Sequence, residues 1–209
     1  MLMIPDNVFK RALRNVYFIF GGCADAADEL GRRHGFYVYH TCEHRYKHSQ
    51  NADPTFQPAL CRFVADIPDF FAQDPAEAMQ KESDIVRDFT PMVIIDLIQL
   101  AAVHEKVLCD NDIDVESILP YVTHAVTITC ETDLVRFIEG YENQIRSRDI
   151  PADEKERLVR SVRPAVDKAK REMLRAADRY GIKRIDLTDN WSVEQTTDIV
   201  AEYFGLPPV

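Results

Sequence analysis

The sequence has no CxxC pair. Its five cysteines, Cys23, Cys42, Cys61, Cys109 and Cys130, are scattered and odd in number. That argues against both a disulfide framework and a zinc finger, and it fits a reducing cytosol. Glycine is sparse, seven residues of 209, and with eleven prolines the two are too few for a fibrous or low-complexity chain. A long hydrophobic run is missing as well. The strongest apolar stretch, 92–100, contains Asp96 and is far shorter than a membrane-spanning helix. The opening MLMIPDNVFKRALRN carries Pro5, Asp6 and three basic side chains, and it lacks the apolar core of a secretory signal. A soluble, cytoplasmic protein is the expectation.

Positive charge is in deficit: 25 lysines and arginines face 35 aspartates and glutamates, a net charge of -10. Such a field repels phosphate backbones and anionic lipid, so neither nucleic acid nor a membrane surface is an expected partner. A local basic pocket for a small anion stays open, and a small molecule is the expected partner. The oligomeric state is not legible. What is present is globular composition, 46% hydrophobic and 29% charged, in a length that suits one large domain with a substantial core.

Along the chain, short β-branched and aromatic runs alternate with helical periodicity. Residues 15–20 (NVYFIF) read as a strand buried on both faces and closed by Gly21 and Gly22. A helix over 24–34 stops at Gly35, and 36–40 is a second strand. Residues 42–60 are polar and irregular. Asp74-Pro75-Ala76-Glu77 opens a helix that is expected to bend at Pro91, with a more apolar helical stretch over 92–102. KVLCD (106–110) and AVTIT (125–129) are the third and fourth strands, with a short helix over 115–121 between them. Apolar positions at three- and four-residue steps predict helix over about 153–180, divided into two at Pro164. Residues 182–187 form a fifth strand, and Ser192-Val193-Glu194-Gln195 is a capping box for the last helix.

This alternation predicts a three-layer α/β fold: about five parallel strands with helices on both faces. Ligands of such sheets bind outside the carboxyl ends of the strands. The candidate positions are therefore 21–25, 40–44, 110–112, 129–132 and 188–190.

NVYFIFGG, RRHGF, YVYHTCEH, HSQNADP and QPAL, with SVEQTTDIVAEYFGL near the end, resemble a group of bacterial P-loop small-molecule kinases related to shikimate, adenylate and gluconate kinases. The resemblance extends through nearly the whole element order, and its specific residues lie in roughly the first sixty positions and the last twenty. It implies one kinase-like domain over 1–209, with 42–102 as a substrate-side insertion and about 141–163 as a lid. It also implies ATP and Mg²⁺ as cofactors and phosphoryl transfer to a small metabolite hydroxyl.

The chain departs from that pattern at the phosphate loop. G-x-x-x-x-G-K-[ST] supplies a nest of backbone N–H groups, a lysine and a hydroxyl. Here the corresponding turn is Gly21-Gly22-Cys23-Ala24-Asp25, with no lysine and no serine or threonine, while Asp25 and Asp28 bring negative charge to the helix start. Two readings fit the gap: the loop has been lost, or the natural chain carries residues here that this sequence omits.

The resemblance assigns Gly21, Gly22, Cys23, Ala24 and Asp25 to the nucleotide. It assigns Glu43, Asp110, Arg146 and Arg148 to catalysis, with Asp110 also holding the metal. Thr41, His44 and Arg62 are the substrate-side candidates. Each has a plainer reading beside it. Glu43 lies in a polar loop, Asp110-Asn111-Asp112 is also ordinary turn chemistry, and Arg146 and Arg148 are at home in a solvated helix connection. His40, Cys42, His44 and His48 have zinc-compatible side chains, but they straddle a strand end, and scattered loop histidines account for them better. His34, His104 and His124 look incidental. The leading function is thus ATP-dependent phosphorylation of a small metabolite. The alternative is a catalytically inactive kinase-fold protein that binds a small molecule or regulates.

Overall fold

The computed structural model describes residues 6–21, 24–41, 74–110, 115–187 and 191–208. Five strands, β1 (Val16–Phe20), β2 (Tyr37–His40), β3 (Val107–Asp110), β4 (His124–Cys130) and β5 (Lys183–Leu187), form one all-parallel sheet in the order β2-β3-β1-β4-β5. The three-layer α/β expectation therefore holds. Side chains of β1 alternate between the two faces. Val16, Phe18 and Phe20 enter one core cluster and Ile19 the other, which is why its run is apolar throughout.

The helices are α1 (Asp6–Ala12), α2 (Ala24–His34), α3 (Pro75–Val103), α4 (Val115–Ile118), α5 (Glu131–Ser147), α6 (Ala152–Arg179) and α7 (Val193–Tyr203). α5 has no counterpart in the expected order, and neither does α1. It is held by Phe9, whose ring lies 5.2 Å from that of Tyr121, and by the buried Leu13 that follows it.

Chain direction decides which face each helix covers. The connections β2→β3, β3→β4 and β4→β5 run one way across the sheet, and β1→β2 alone runs the other. Right-handed crossovers then send α3 and α4 to one face and α2 to the opposite one. The cores agree. Val93, Leu97 and Ile118 pack with Phe18 and Cys109, whereas Ala27, Leu30, Val200 and Phe204 of α2, α7 and the residue after it pack with Ile19 and Leu108. As a result β1 has a topological switch point on each side, toward β3 and toward β4. A third cluster, with Ala78, Ile138, Tyr141, Leu158 and Val162, joins the start of α3 to the α5–α6 pair.

The expected division into two helices at Pro164 is corrected, and the bend expected at Pro91 falls within one continuous helix. α3 continues through Pro91 and α6 through Pro164, each as one helix. Both prolines are exposed, so the carbonyls they leave unbonded, four residues earlier, meet water rather than a dry core. The buried faces on either side, such as Thr90 and Val93 or Val162 and Val166, keep each helix in its layer. The caps formed as expected: Asp74 accepts from the Ala76 N–H at 3.0 Å, and Ser192 and Gln195 make a reciprocal capping box. Among the described residues, no helix is long and apolar enough to cross a membrane.

Candidate functional site

β1 ends at Gly21, which has φ +95°, and a Cβ there would lie 2.0 Å from the Ile128 carbonyl oxygen of β4. Only glycine lets the turn press this closely on its neighbour. The chain then enters α2, whose first turn carries the exposed Asp25, while Arg32, Arg33 and His34 occupy its last turn. That charge order complements the helix dipole and makes the amino end of α2 a poor host for a polyphosphate.

Beside this turn, β2 and β3 end in register. Asp110 pairs with His40 on one side and with Ile19 of β1 on the other. Gly21 therefore lies about 7 Å further along and one strand across. Asp110 is 3% exposed. Its Oδ2 lies 3.0 Å from His40 Nδ1, and His40 Nε2 lies 3.0 Å from Asp28 Oδ1 of α2. Two carboxylates can only accept, so both ring nitrogens donate and the ring is an imidazolium. The bond to Asp110 is the main reason that the His40 pKa is pushed up to about 9. Burial opposes this and Asp28 assists it. The buried Thr41 hydroxyl donates to the Asp110 carbonyl at 3.1 Å. Asp110 Oδ1 is buried and has no hydrogen-bond partner among the described residues.

On the other side of β1 lies a cavity of about 340 Å³. Its floor is Gly21 and Ile128 to Cys130 of the sheet. Its wall is Leu134 and Phe137 of α5 with Val166, Ala169 and Met173 of α6, and Met79 and Lys170 complete it. Next to it, Thr129 donates to Asp186 of β5, which also accepts from Arg184. Those bonds hold the Asp186 carboxyl below its ordinary pKa, the one from Thr129 foremost.

The structure thus places Gly21, Thr41 and Asp110 at the strand ends, with Ala24 and Asp25 opening α2. Arg146 and Arg148 belong to another part of the fold. Arg146 lies fifteen positions past Glu131 in α5, roughly 22 Å along the helix axis. It is exposed and pairs with Glu142 at 2.7 Å. Arg148 caps the same helix, its N–H donating to the Ile145 carbonyl at 3.2 Å. Gly22, Cys23, Glu43, His44 and Arg62 lie outside the described residues, as do Cys42 and His48 from the zinc reading. Among the described residues, no group of three or more His, Cys, Asp or Glu side chains is placed to hold a metal.

Sequence reasoning treated His40 as a loop histidine or metal ligand and Asp28 as a helix-start acid. The Asp28–His40–Asp110 chain escaped it because the link depends on β2 lying next to β3. One signal was available: His40 and Asp110 are the last residues of two predicted strands, and adjacent parallel strands align their ends. The cavity was not legible, since its lining comes from five elements. The chain matches no protein-family model, and no curated protein is similar to it.

Proposed function

We propose that this chain is a cytoplasmic, non-catalytic small-molecule-binding domain on a kinase-like α/β scaffold. Its ligand enters where β1 meets its two switch points, the place at which open parallel sheets bind ligands. The observation that carries this reading is the Asp28–His40–Asp110 chain. It ties the strand-end carboxylate to an imidazolium and seats a second carboxylate on the helix that a nucleotide phosphate would approach. Between Phe20 and Asp28 the sequence offers no lysine, serine or threonine, so the charge chemistry for a triphosphate is missing. The exposed Arg146–Glu142 pair supports the same reading, because an arginine awaiting a transferring phosphate has no need of a local acid.

One observation favours phosphoryl transfer instead: the unpartnered Asp110 Oδ1 beside β1. Magnesium is commonly held by one or two carboxylates together with substrate phosphates. Under that reading Asp110→Asn abolishes ATP-dependent turnover and leaves folding intact. Thermal unfolding with Mg-ATP separates the two readings. The binding domain is indifferent to it, and a kinase is stabilised.

A further inference from the structure

We infer that the cavity between β4 and the α5–α6 pair binds a small apolar molecule with one anionic end, which pairs with Lys170. The inference rests on the binding-domain reading and names the ligand class of that site. The volume of about 340 Å³ equals roughly eleven waters at about 30 Å³ each, at the small end of ligand pockets. Its wall is apolar on every side but one. Leu134, Phe137, Val166 and Met173 offer water almost no hydrogen bonds, so displacing solvent with hydrocarbon is favourable.

The exception is Lys170, whose side chain is 24% exposed. Its ammonium donates to Glu131 Oε2 at 3.0 Å, and Glu131 also accepts from Arg163 at 3.2 Å. Arg163 also lies 3.7 Å from Asp167, so two cations face two carboxylates, and of the three donors of the Lys170 ammonium Glu131 takes one. The half-buried Lys170 therefore keeps hydrogen-bonding capacity at the rim of an apolar chamber. A carboxylate at the end of a short hydrocarbon body satisfies both features.

Octanoate and octan-1-ol, which share a chain and differ in charge, are suitable probes, read by calorimetric titration of the full-length protein. Octanoate is expected to bind saturably with one site and to slow alkylation of Cys130, which lines the cavity. Peptide mass spectrometry follows that reaction, with the buried Cys109 as an unreactive internal reference. Lys170→Met is expected to weaken octanoate by about tenfold or more while leaving octan-1-ol unchanged. Ala169→Trp, which fills the chamber, is expected to abolish binding of both with the melting temperature retained; Met173→Trp does the same from the next turn of α6 if the first variant fails to fold. Unaltered octanoate affinity in Lys170→Met, or in the folded chamber-filling variant, overturns the inference. So does the absence of saturable octanoate binding in a protein that Mg-ATP also leaves unmoved, and that result leaves the binding-domain reading standing. Stabilisation by Mg-ATP would instead remove the reading itself.

Discussion

At the carboxyl end of β1 a single backbone position couples two strands and one helix. A side chain at Gly21 has to occupy a left-handed conformation and also displace a carbonyl of the central sheet, where the neighbour is backbone and cannot rotate away. Gly21→Ala is therefore expected to destabilise the protein by about 2–4 kcal/mol, measured by urea unfolding. A loss below about 0.5 kcal/mol would show that the turn does not press on β4. His40 makes a different prediction. Its folded pKa of about 9 exceeds the ordinary 6.5, so the charged form stabilises the fold. That contribution is complete below about pH 6.5 and disappears as pH rises through 9. Asp28 is two-thirds exposed, so screening reduces the effect to roughly 1–2 kcal/mol. Unfolding free energy should fall by about that amount between pH 6.5 and 9, and His40→Gln should flatten the difference. An unchanged slope in the variant would mean that the ring is not held between Asp110 and Asp28.

Among the elements, local chemistry was legible where the signal is local. Ala24–His34 was read up to its Gly35 stop, and Val193–Tyr203 from its capping box, because caps act within a few residues. The proline rule misled for a physical reason. The expected break at Pro164 follows from a lost hydrogen bond and a ring clash, but the sequence does not say that this proline faces solvent while Leu158, Val162, Ala165 and Val166 bury the opposite side. Packing holds the helix together against its propensity. Pro164→Ala should then stabilise the protein by about 1–3 kcal/mol, read by urea unfolding. A loss of stability would show instead that the proline shapes the α5–α6 contact. At the other end of the sheet, Asn15 Nδ2 donates to the carbonyls of Ala101 and His104 at 3.1 and 2.8 Å. It thereby satisfies the last turn of α3 from 86 residues away in sequence, a link that periodicity cannot show.

For the whole molecule, fold class followed from alternation, but the site did not. Strand order decides which ends become neighbours, and nothing in the run of residues states that β3 lies between β2 and β1. The position of Asp110 at a strand end was therefore legible, while its imidazolium partner was not. The central claim is that the cleft at β1 is chemically closed to nucleotide phosphate. Its most direct test is thermal unfolding of the full chain with and without millimolar Mg-ATP. A specific ligand at a hundredfold excess over its dissociation constant adds about 2.7 kcal/mol, which for a chain of this size raises the midpoint by about 5–10 °C. The expected result is an unmoved midpoint. A rise of several degrees that saturates with Mg-ATP, and that Asp110→Asn removes, would contradict it.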